Sequence, residues 1–362
     1  MIRVLQCVNN MHRAGLETML MNYYRAIDRT KIQFDFLMHR PERSDYDDEI
    51  ESLGGRIFRA PRLYPQNYPA YFSYMKQFFQ EHPEYKIIHS HIDAMSCLPL
   101  LAAKKAGVPI RIAHSHNTAI DKDYKYLLKQ FFRFRIPGSA NHFLACGKEA
   151  GAFLFRGRSF DVIPNAIHAD RFLFDESARC SQREALGLQS QFVVGHIGRF
   201  SEQKNHVFLT EIFAAILQKE PDAILLLIGT GEKEQQIREK VNSLGISRNV
   251  RFLGNRSDVA QLYQAMDVFL LPSRFEGIPL VGVEAQFAGL PCFFSSKVPD
   301  EVAFAPNARF LDLKLPAEAW ADKILQCRNA DNRAAEIEDA RYDISYAKSI
   351  LEAYYLKSTE ES

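Results

Sequence analysis

Short apolar runs recur along the chain, separated by stretches whose apolar residues return at helical spacing. In the first half these runs are Ile2–Val8, Phe34–His39, Arg56–Arg59, Lys86–His91, Ile110–His114, His142–Cys146 and Phe160–Ile163. In the second half they are Phe192–Ile197, Ala223–Ile228, Val250–Leu253, Val268–Leu271 and Pro291–Phe294. Several are apolar throughout and partly β-branched, the pattern of strands buried on both faces. Glu17–Ile27, Tyr68–Glu81 and Met95–Ala106 carry helical periodicity between them. Strand–helix alternation of this kind predicts parallel sheets covered by helices on both faces. No sequence repeat of fixed period and no low-complexity tract interrupts it.

The alternation lapses once, at Pro164-Asn165-Ala166 and the polar segment that follows to about Gln191. Proline, polar residues and lost periodicity place a domain boundary there. The expected organisation is a domain over residues 1–165, a linker over 166–190 and a second domain over 191–340. An amphipathic helix, Asp343–Leu356, lies within the closing segment 341–362.

Composition narrows the function classes. A chain of 362 residues suits two α/β domains better than one core. A net charge of +1 argues against a dedicated nucleic-acid binder. No apolar stretch approaches the roughly 20 residues that span a bilayer. The opening run Ile2–Val8 is too short for a signal-peptide core, so a cytoplasmic protein is expected. Cys7, Cys97, Cys146, Cys180, Cys292 and Cys327 form no C-x-x-C pair, and buried reduced thiols are the expectation.

The candidate chemistry concentrates around Pro272-Ser-Arg-Phe-Glu276-Gly277-Ile278-Pro279-Leu280-Val281-Gly-Val-Glu284. A buried strand precedes it, and Pro279 suits a first helical position because its φ is helix-ready and its missing N–H has no partner there. Gly289 and Pro291 should end the helix. Backbone N–H groups over 277–281 would then point from the positive end of a helix, a ready anion site. A carboxylate stands on either side of it. This Glu-x7-Glu element resembles that of retaining family 4 glycosyltransferases, which use nucleotide sugars and have the GT-B fold. The resemblance implies that Gly277, Ile278, Leu280 and Val281 hold the donor diphosphate, that Glu276 contacts sugar hydroxyls and that Glu284 binds the ribose.

Other segments carry the same resemblance. Gly198-Arg199-Phe-Ser-Glu-Gln-Lys204-Asn205 matches the family segment in which two cations face the diphosphate. Fixed cations beside a leaving diphosphate stabilise charge that grows in the transition state, so the assignment is chemically sensible for Arg199 and Lys204. Gly229-Thr230-Gly231 ends a strand but lacks the third glycine of a dinucleotide fingerprint, which disfavours a dehydrogenase. In the family this loop lies near the nucleotide, and the following stretch, with Leu253 and Arg256, matches the base-binding loop.

In the first half, Ala14-Gly15-Leu16-Glu17 resembles the family's Gly-Gly-x-Glu loop, with Gly15 the better diphosphate contact. Ala14 replaces the first glycine and resists positive φ, which suggests a less closely packed loop. His89-Ser-His91 and His114-Ser-His116 each close an apolar run at the carboxyl end of a strand. Alternation sends His114 and His116 to one side. Family members often place a histidine here against the transferred sugar. His116 is favoured, with His114 the other candidate, since the register is not readable. No third ligand is evident for a metal site, and none is expected. Asp121-Lys-Asp123 imitates a metal-binding Asp-x-Asp but reads as a solvated loop. Pro164-Asn165-Ala166 matches the family's hinge Pro-Asn-Gly. The run Tyr124–Arg135 mixes aromatics with Lys125, Lys129, Arg133 and Arg135, and two readings are open: a membrane-surface helix, or a half-buried helix with snorkelling cations.

The resemblance implies an α/β GT-B protein, two doubly wound Rossmann-like domains facing a central cleft, with the last helix crossing back to the first domain. It implies a retaining, metal-independent transferase. A sugar would pass from a nucleotide donor, expected to be UDP-linked, to a saccharide or polyprenyl-linked saccharide in capsule or exopolysaccharide synthesis. No cofactor beyond that co-substrate and no nucleic-acid partner is expected. Contact would be peripheral, at the inner membrane face. The alternatives are a nucleotide-sugar 2-epimerase of the same fold and a catalytically silent nucleotide-sugar-binding subunit.

Overall fold

The computed structural model describes residues 1–120, 125–328, 333 and 340–360. Asp121 and Asp123, read as a solvated loop, lie outside the described residues. The chain forms two compact units, Met1–Ala166 together with Arg341–Ser362, and Ile167–Ala340.

Unit 1 holds β1 (Ile2–Val8), β2 (Ile32–Met38), β3 (Ile57–Arg59), β4 (Ile87–Ser90), β5 (Ile110–Ser115), β6 (His142–Ala145) and β7 (Asp161–Val162). They pair in the order β3-β2-β1-β4-β5-β6-β7, parallel throughout. The order reverses between β1 and β4, the kind of position where open α/β sheets bind ligands. Leu5, Cys7, Leu37, Ile88, Ala113 and Ala145 face one core with Tyr71, Phe78, Leu98 and Phe155. The alternate residues face the other side, where Gln6 is in register with Phe36 and His89. The helix Ile344–Glu360 belongs to this unit. Its Tyr355 meets Phe34 edge-on at 6.0 Å, and Glu352 accepts from the Asp28 N–H at 2.7 Å.

Unit 2 holds β8 (Val193–Ile197), β9 (Ile224–Ile228), β10 (Val250–Gly254), β11 (Val268–Leu271), β12 (Cys292–Ser295) and β13 (Ala308–Leu311). The order is β10-β9-β8-β11-β12-β13, again parallel, with its reversal between β8 and β11. Leu225, Leu227, Val268 and Leu270 pack with Phe213, Phe293 and Trp320. Full burial of each aliphatic side chain contributes roughly 1.5–3 kcal/mol. Trp320 is fully buried and its Nε1–H still donates to Asp312 O at 3.1 Å, as a buried indole should.

The structure departs from the sequence expectations in a few places. The stretch expected as a linker contains the helix Glu176–Ala185, capped by Asp175, whose Oδ1 accepts from the Ala178 N–H at 2.6 Å. Its polar composition hides it, because the residue it buries is Arg183. The edge strand β13 was not anticipated; it is four residues long and has Arg309 exposed. Cysteine burial is mixed: all six are free, but Cys180 is exposed and Cys327 half-buried.

Candidate active site

In unit 2 the loops leaving β8 and β11 lie side by side because those strands are neighbours. They are stitched together at several points. The Arg274 N–H donates to Gln203 O at 2.8 Å, and Gln203 Nε2 donates to Phe275 O at 3.0 Å and Glu276 Oε2 at 3.2 Å. Asn205 adopts the left-handed conformation (φ 54°) and sends Nδ2 to Pro272 O at 3.1 Å. Lys204 Nζ donates to Glu276 Oε1 at 2.7 Å. Glu276 is therefore a buried carboxylate engaged at both oxygens, and Lys204 is its ion partner.

The two expected phosphate cations stand in different surroundings. The Arg199 side chain is 72% exposed and pairs with Glu232 at 3.1 Å, while that of Lys204 is 15% exposed. The Gly-x-Gly turn supports the Arg199 loop. A Cβ on Gly229 would stand 2.3 Å from Gly198 O, and one on Gly231 would stand 2.4 Å from Phe200 O. Only glycine permits so close a backbone approach, and the Phe200 N–H closes it by donating to Thr230 O at 3.0 Å.

The helix after β11 runs Leu280–Phe287, with Pro279 as its N-cap at φ −73° and ψ 115°. Pro279 thus stands one residue before the first helical position, the place the sequence suggests for it. Gly282 N–H donates to Pro279 O at 3.0 Å, and no backbone carbonyl among the described residues takes the N–H of Leu280 or Val281. Gly289 ends the segment at φ 69°. Glu284 lies on the buried side of this helix, its Oε2 2.9 Å from Tyr263 Oη. Burial pushes its carboxyl up to about 7, against the opposing effects of the Tyr263 hydroxyl and Arg171. Tyr263 was not foreseen. Leu253 lies in β10, and Arg256 is exposed and pairs with Asp258 at 2.5 Å.

In unit 1 the histidine pairs come together. His89 and His114 have nearly parallel rings with centroids 5.1 Å apart, and Nε2 of the first lies 3.0 Å from Nδ1 of the second. His91 Nδ1 lies 2.9 Å from His116 Nε2. His114 and His116 share one side, their rings 4.1 Å apart. Burial drives all four pKa values down, that of His116 to about 3, so the rings are neutral at pH 7. The expectation that no third ligand is evident is corrected here: ring nitrogens of His89, His91 and His114 lie within 4.8 Å of one another. The facing nitrogens are nonetheless already matched in ring-to-ring hydrogen bonds.

Asp93, in a left-handed conformation (φ 44°), accepts from the His116 N–H at 2.9 Å and from Asn117 Nδ2 at 2.8 Å. Ala14 is extended (φ −139°, ψ 176°), a conformation open to any residue, so its replacement of glycine imposes no strain. Gly15 begins the helix Gly15–Ala26, and a Cβ there would meet open space. Ala166 is likewise free of positive φ, and its carbonyl accepts from Asn22 Nδ2 at 3.0 Å.

Comparisons with known proteins bear on the family and the fold. The family described as Glycosyl transferases group 1 matches residues 179–342, and Glycosyltransferase Family 4 matches residues 13–171. EpsF of Bacillus subtilis is 34% identical over 99% of this chain and 97% of its own length. The capsular polysaccharide biosynthesis glycosyltransferase CapH of Staphylococcus aureus is 23% identical over 99% of this chain and all of its own. A crystal structure of HepE from Anabaena in complex with UDP-glucose superposes with a TM-score of 0.82 at 20% identity, covering 99% of this chain and 100% of that one. The glycosyltransferase WaaG, involved in lipopolysaccharide biosynthesis, gives 0.72 at 14% identity, covering 98% and 95%. These structures share the GT-B fold, as expected from the sequence. The chain belongs to the group 1 glycosyltransferases.

Proposed function

We propose that this glycosyltransferase moves a sugar, with retention and without a metal, from a UDP-sugar to a hydroxyl of a saccharide or lipid-linked saccharide. The observation that carries the reading is the Lys204–Glu276 pair, with Glu276 on the segment leading into Leu280 and Val281, whose N–H groups no backbone carbonyl among the described residues takes. A helix N-terminus and a cation favour a diphosphate, and a fixed carboxylate orients sugar hydroxyls. Arg199 and Lys204 are assigned to the leaving diphosphate, with Gly15, Gly277 and Ile278 contributing backbone contacts. Glu276 takes the sugar, Glu284 the ribose, and Leu253 and Arg256 the base. His116 is assigned to the transferred sugar, with His114 beside it.

The acceptor hydroxyl oxygen bonds to the anomeric carbon on the face the diphosphate leaves. The carbon–oxygen bond to phosphate breaks, and the hydroxyl proton passes to the departing phosphate oxygen. The protein contributes position and charge stabilisation. A role in polysaccharide assembly is supported by CapH and by a UDP-Gal:alpha-D-GlcNAc-diphosphoundecaprenol galactosyltransferase of Escherichia coli, 28% identical over 59% of this chain and 58% of its own.

A lipid-linked acceptor suits the helix Tyr126–Ser139, which exposes Leu127, Phe131 and Phe134. Arg135 and Arg156 stand over the last two rings at 5.1 and 3.9 Å. We assign this face to an anionic membrane surface; no helix among the described residues is long and apolar enough to cross one. Sedimentation with phosphatidylglycerol vesicles should fall in Leu127→Ser/Phe131→Ser, and unchanged sedimentation would exclude the assignment.

The decisive assay is UDP or GDP release from a panel of nucleotide sugars, with and without lipid-extract acceptors, in EDTA. Acceptor-dependent release from one UDP-sugar that survives chelation is expected. Binding of UDP without release across the panel would favour a silent binding subunit, and sugar interconversion without acceptor would favour an epimerase.

A further inference from the structure

One amide stands at the root of two chains of rings. Gln6 is the polar residue of an otherwise apolar β1 face, between Val4 and Val8, beside the strand-order reversal. Its Oε1 lies 2.8 Å from His91 Nε2, and its Nε2 lies 3.2 Å from Tyr355 Oη. An amide oxygen only accepts and an amide NH2 only donates. His91 therefore carries its proton on Nε2 and has a bare Nδ1. The 2.9 Å contact then makes His116 Nε2 the donor, which leaves His116 Nδ1 as a lone pair.

The second chain runs the other way. Tyr355 accepts from Gln6, and its own hydrogen has His89 Nδ1 as acceptor at 2.6 Å. His89 Nε2 then donates to His114 Nδ1 at 3.0 Å, so the His114 proton sits on Nε2. That nitrogen is buried and has no partner among the described residues. A buried donor left unmet costs about 1–3 kcal/mol, which a ligand at that point would recover. Asp93 adds a second sign of a built site: an aspartate held at φ 44° to grip the His116 backbone.

We propose that Gln6 and Tyr355 are positioning residues that set opposite hydrogen-bonding polarity on two neighbouring rings, a donor at His114 Nε2 and an acceptor at His116 Nδ1, and that this polarity selects a sugar hydroxyl over an anionic group. The proposal rests on the glycosyl-transfer reading above for the identity of the ligand, but the wiring does not. A hydroxyl both accepts and donates, so it satisfies either nitrogen. A phosphate or carboxylate at neutral pH only accepts, and the His116 lone pair repels it. The charged or titratable groups around the rings are Tyr355 from the tail helix and Asp93 from the segment after β4. The Lys129 ammonium acts on the Asp93 carboxyl from the helix Tyr126–Ser139. A single amide governs both chains, so reversing Gln6 would exchange the two roles together.

Long-range proton–nitrogen correlation spectra of the full chain test the wiring directly. All four rings should be protonated on Nε2 at pH 7; a His114 protonated on Nδ1, or a doubly protonated ring, overturns the proposal. This wild-type measurement stands even if a variant fails to fold. Tyr355→Phe should release His89 and His114 into mixed tautomers while His91 and His116 stay fixed, and an unmoved His114 would also overturn it. With the donor found in the panel, Tyr355→Phe should lower kcat/KM about tenfold with UDP affinity unchanged. A parallel loss of UDP affinity would sink the selective role. The predicted tautomers in a protein that transfers no sugar would refute the glycosyl-transfer reading alone, whereas transfer with other tautomers would refute the wiring alone.

Discussion

The switch-point edge of unit 1 is built mainly of neutral polar groups: Gln6, four imidazoles and a tyrosine hydroxyl bond in two chains, which leave His114 Nε2 without a partner among the described residues. The corresponding edge of unit 2 carries ion pairs, Lys204 with Glu276 in the interior and Arg199 with Glu232 toward water. Both sheets reverse strand order at these edges, so topology alone does not set the chemistry. Burial does. A histidine taken out of water gives up its proton and remains a usable donor and acceptor, whereas a lysine or glutamate stays ionised only with a partner. On the function proposed above, the first edge would read hydroxyls and the second would stabilise a leaving diphosphate.

The broadest way to break this contrast is acid. His39, His89, His91, His114 and His116 of unit 1 all have pKa values lowered mainly by burial, His39 to about 4 and His116 to about 3. In unit 2 the same holds for His196, to about 4, and His206. A histidine whose folded pKa is depressed stabilises the fold fully above its unfolded value near 6.5. That contribution is lost as pH falls from there toward the folded pKa. Each such group adds up to about 1.4 kcal/mol per pH unit. Unit 1 should therefore lose protection from hydrogen exchange well before unit 2 between about pH 6.5 and 5. Simultaneous loss in both units would mean that the rings are not held neutral.

The charged edge is tested by removing its charges. Lys204→Ala and Arg199→Ala should each lower kcat more than about tenfold. Their stabilities should part company. Lys204→Ala removes the ion partner of a buried carboxylate and should lower Tm clearly, while Arg199→Ala removes an exposed side chain and should leave Tm nearly unchanged. Little change in turnover in either variant would withdraw the diphosphate assignment. Glu276→Gln keeps the shape and removes the charge, and should impair turnover more than UDP binding. The reverse pattern would move Glu276 from the sugar to the nucleotide.

How much of this was visible in the sequence depends on how far apart the partners lie. The strands read well because burial on both faces leaves unbroken apolar runs, and β1 and β11 begin and end where the pattern puts them. Glu276 and Glu284 were legible because one strand and one helix place them. The partners that fix their chemistry were not. Tyr263 meets Glu284 across 21 positions, and Tyr355 meets Gln6 across 349, so no local pattern links them. The histidine pairs were visible as pairs, but their convergence follows from β4 and β5 being neighbours in register. Gly229 and Gly231 looked like nucleotide contacts; the close approach of the Gly198–Phe200 backbone is a sufficient reason for them.

Glu284 gives the smallest effect and the sharpest test, because it is a carboxyl of unit 2 that burial shifts toward its neutral form, as it does the histidines. It lies buried and its carboxyl is raised to about 7, so ligand-free protein holds it partly protonated at neutral pH. A raised carboxyl stabilises the fold fully below its unfolded value near 4.3, and that contribution is lost as pH rises through about 7. Glu284→Gln should then raise Tm at pH 8 and leave it almost unchanged at pH 4.5. UDP should show the opposite trend. A carboxylate accepts from both ribose hydroxyls, while a protonated acid accepts from fewer, so affinity should rise several-fold from pH 6 to 8. The nucleotide's own phosphate also titrates in this range, so the informative quantity is the difference between wild type and Glu284→Gln. A difference that grows with pH places the ribose on Glu284. A constant difference leaves Glu284 as a helix residue held by Tyr263, and the ribose must then be sought elsewhere in unit 2.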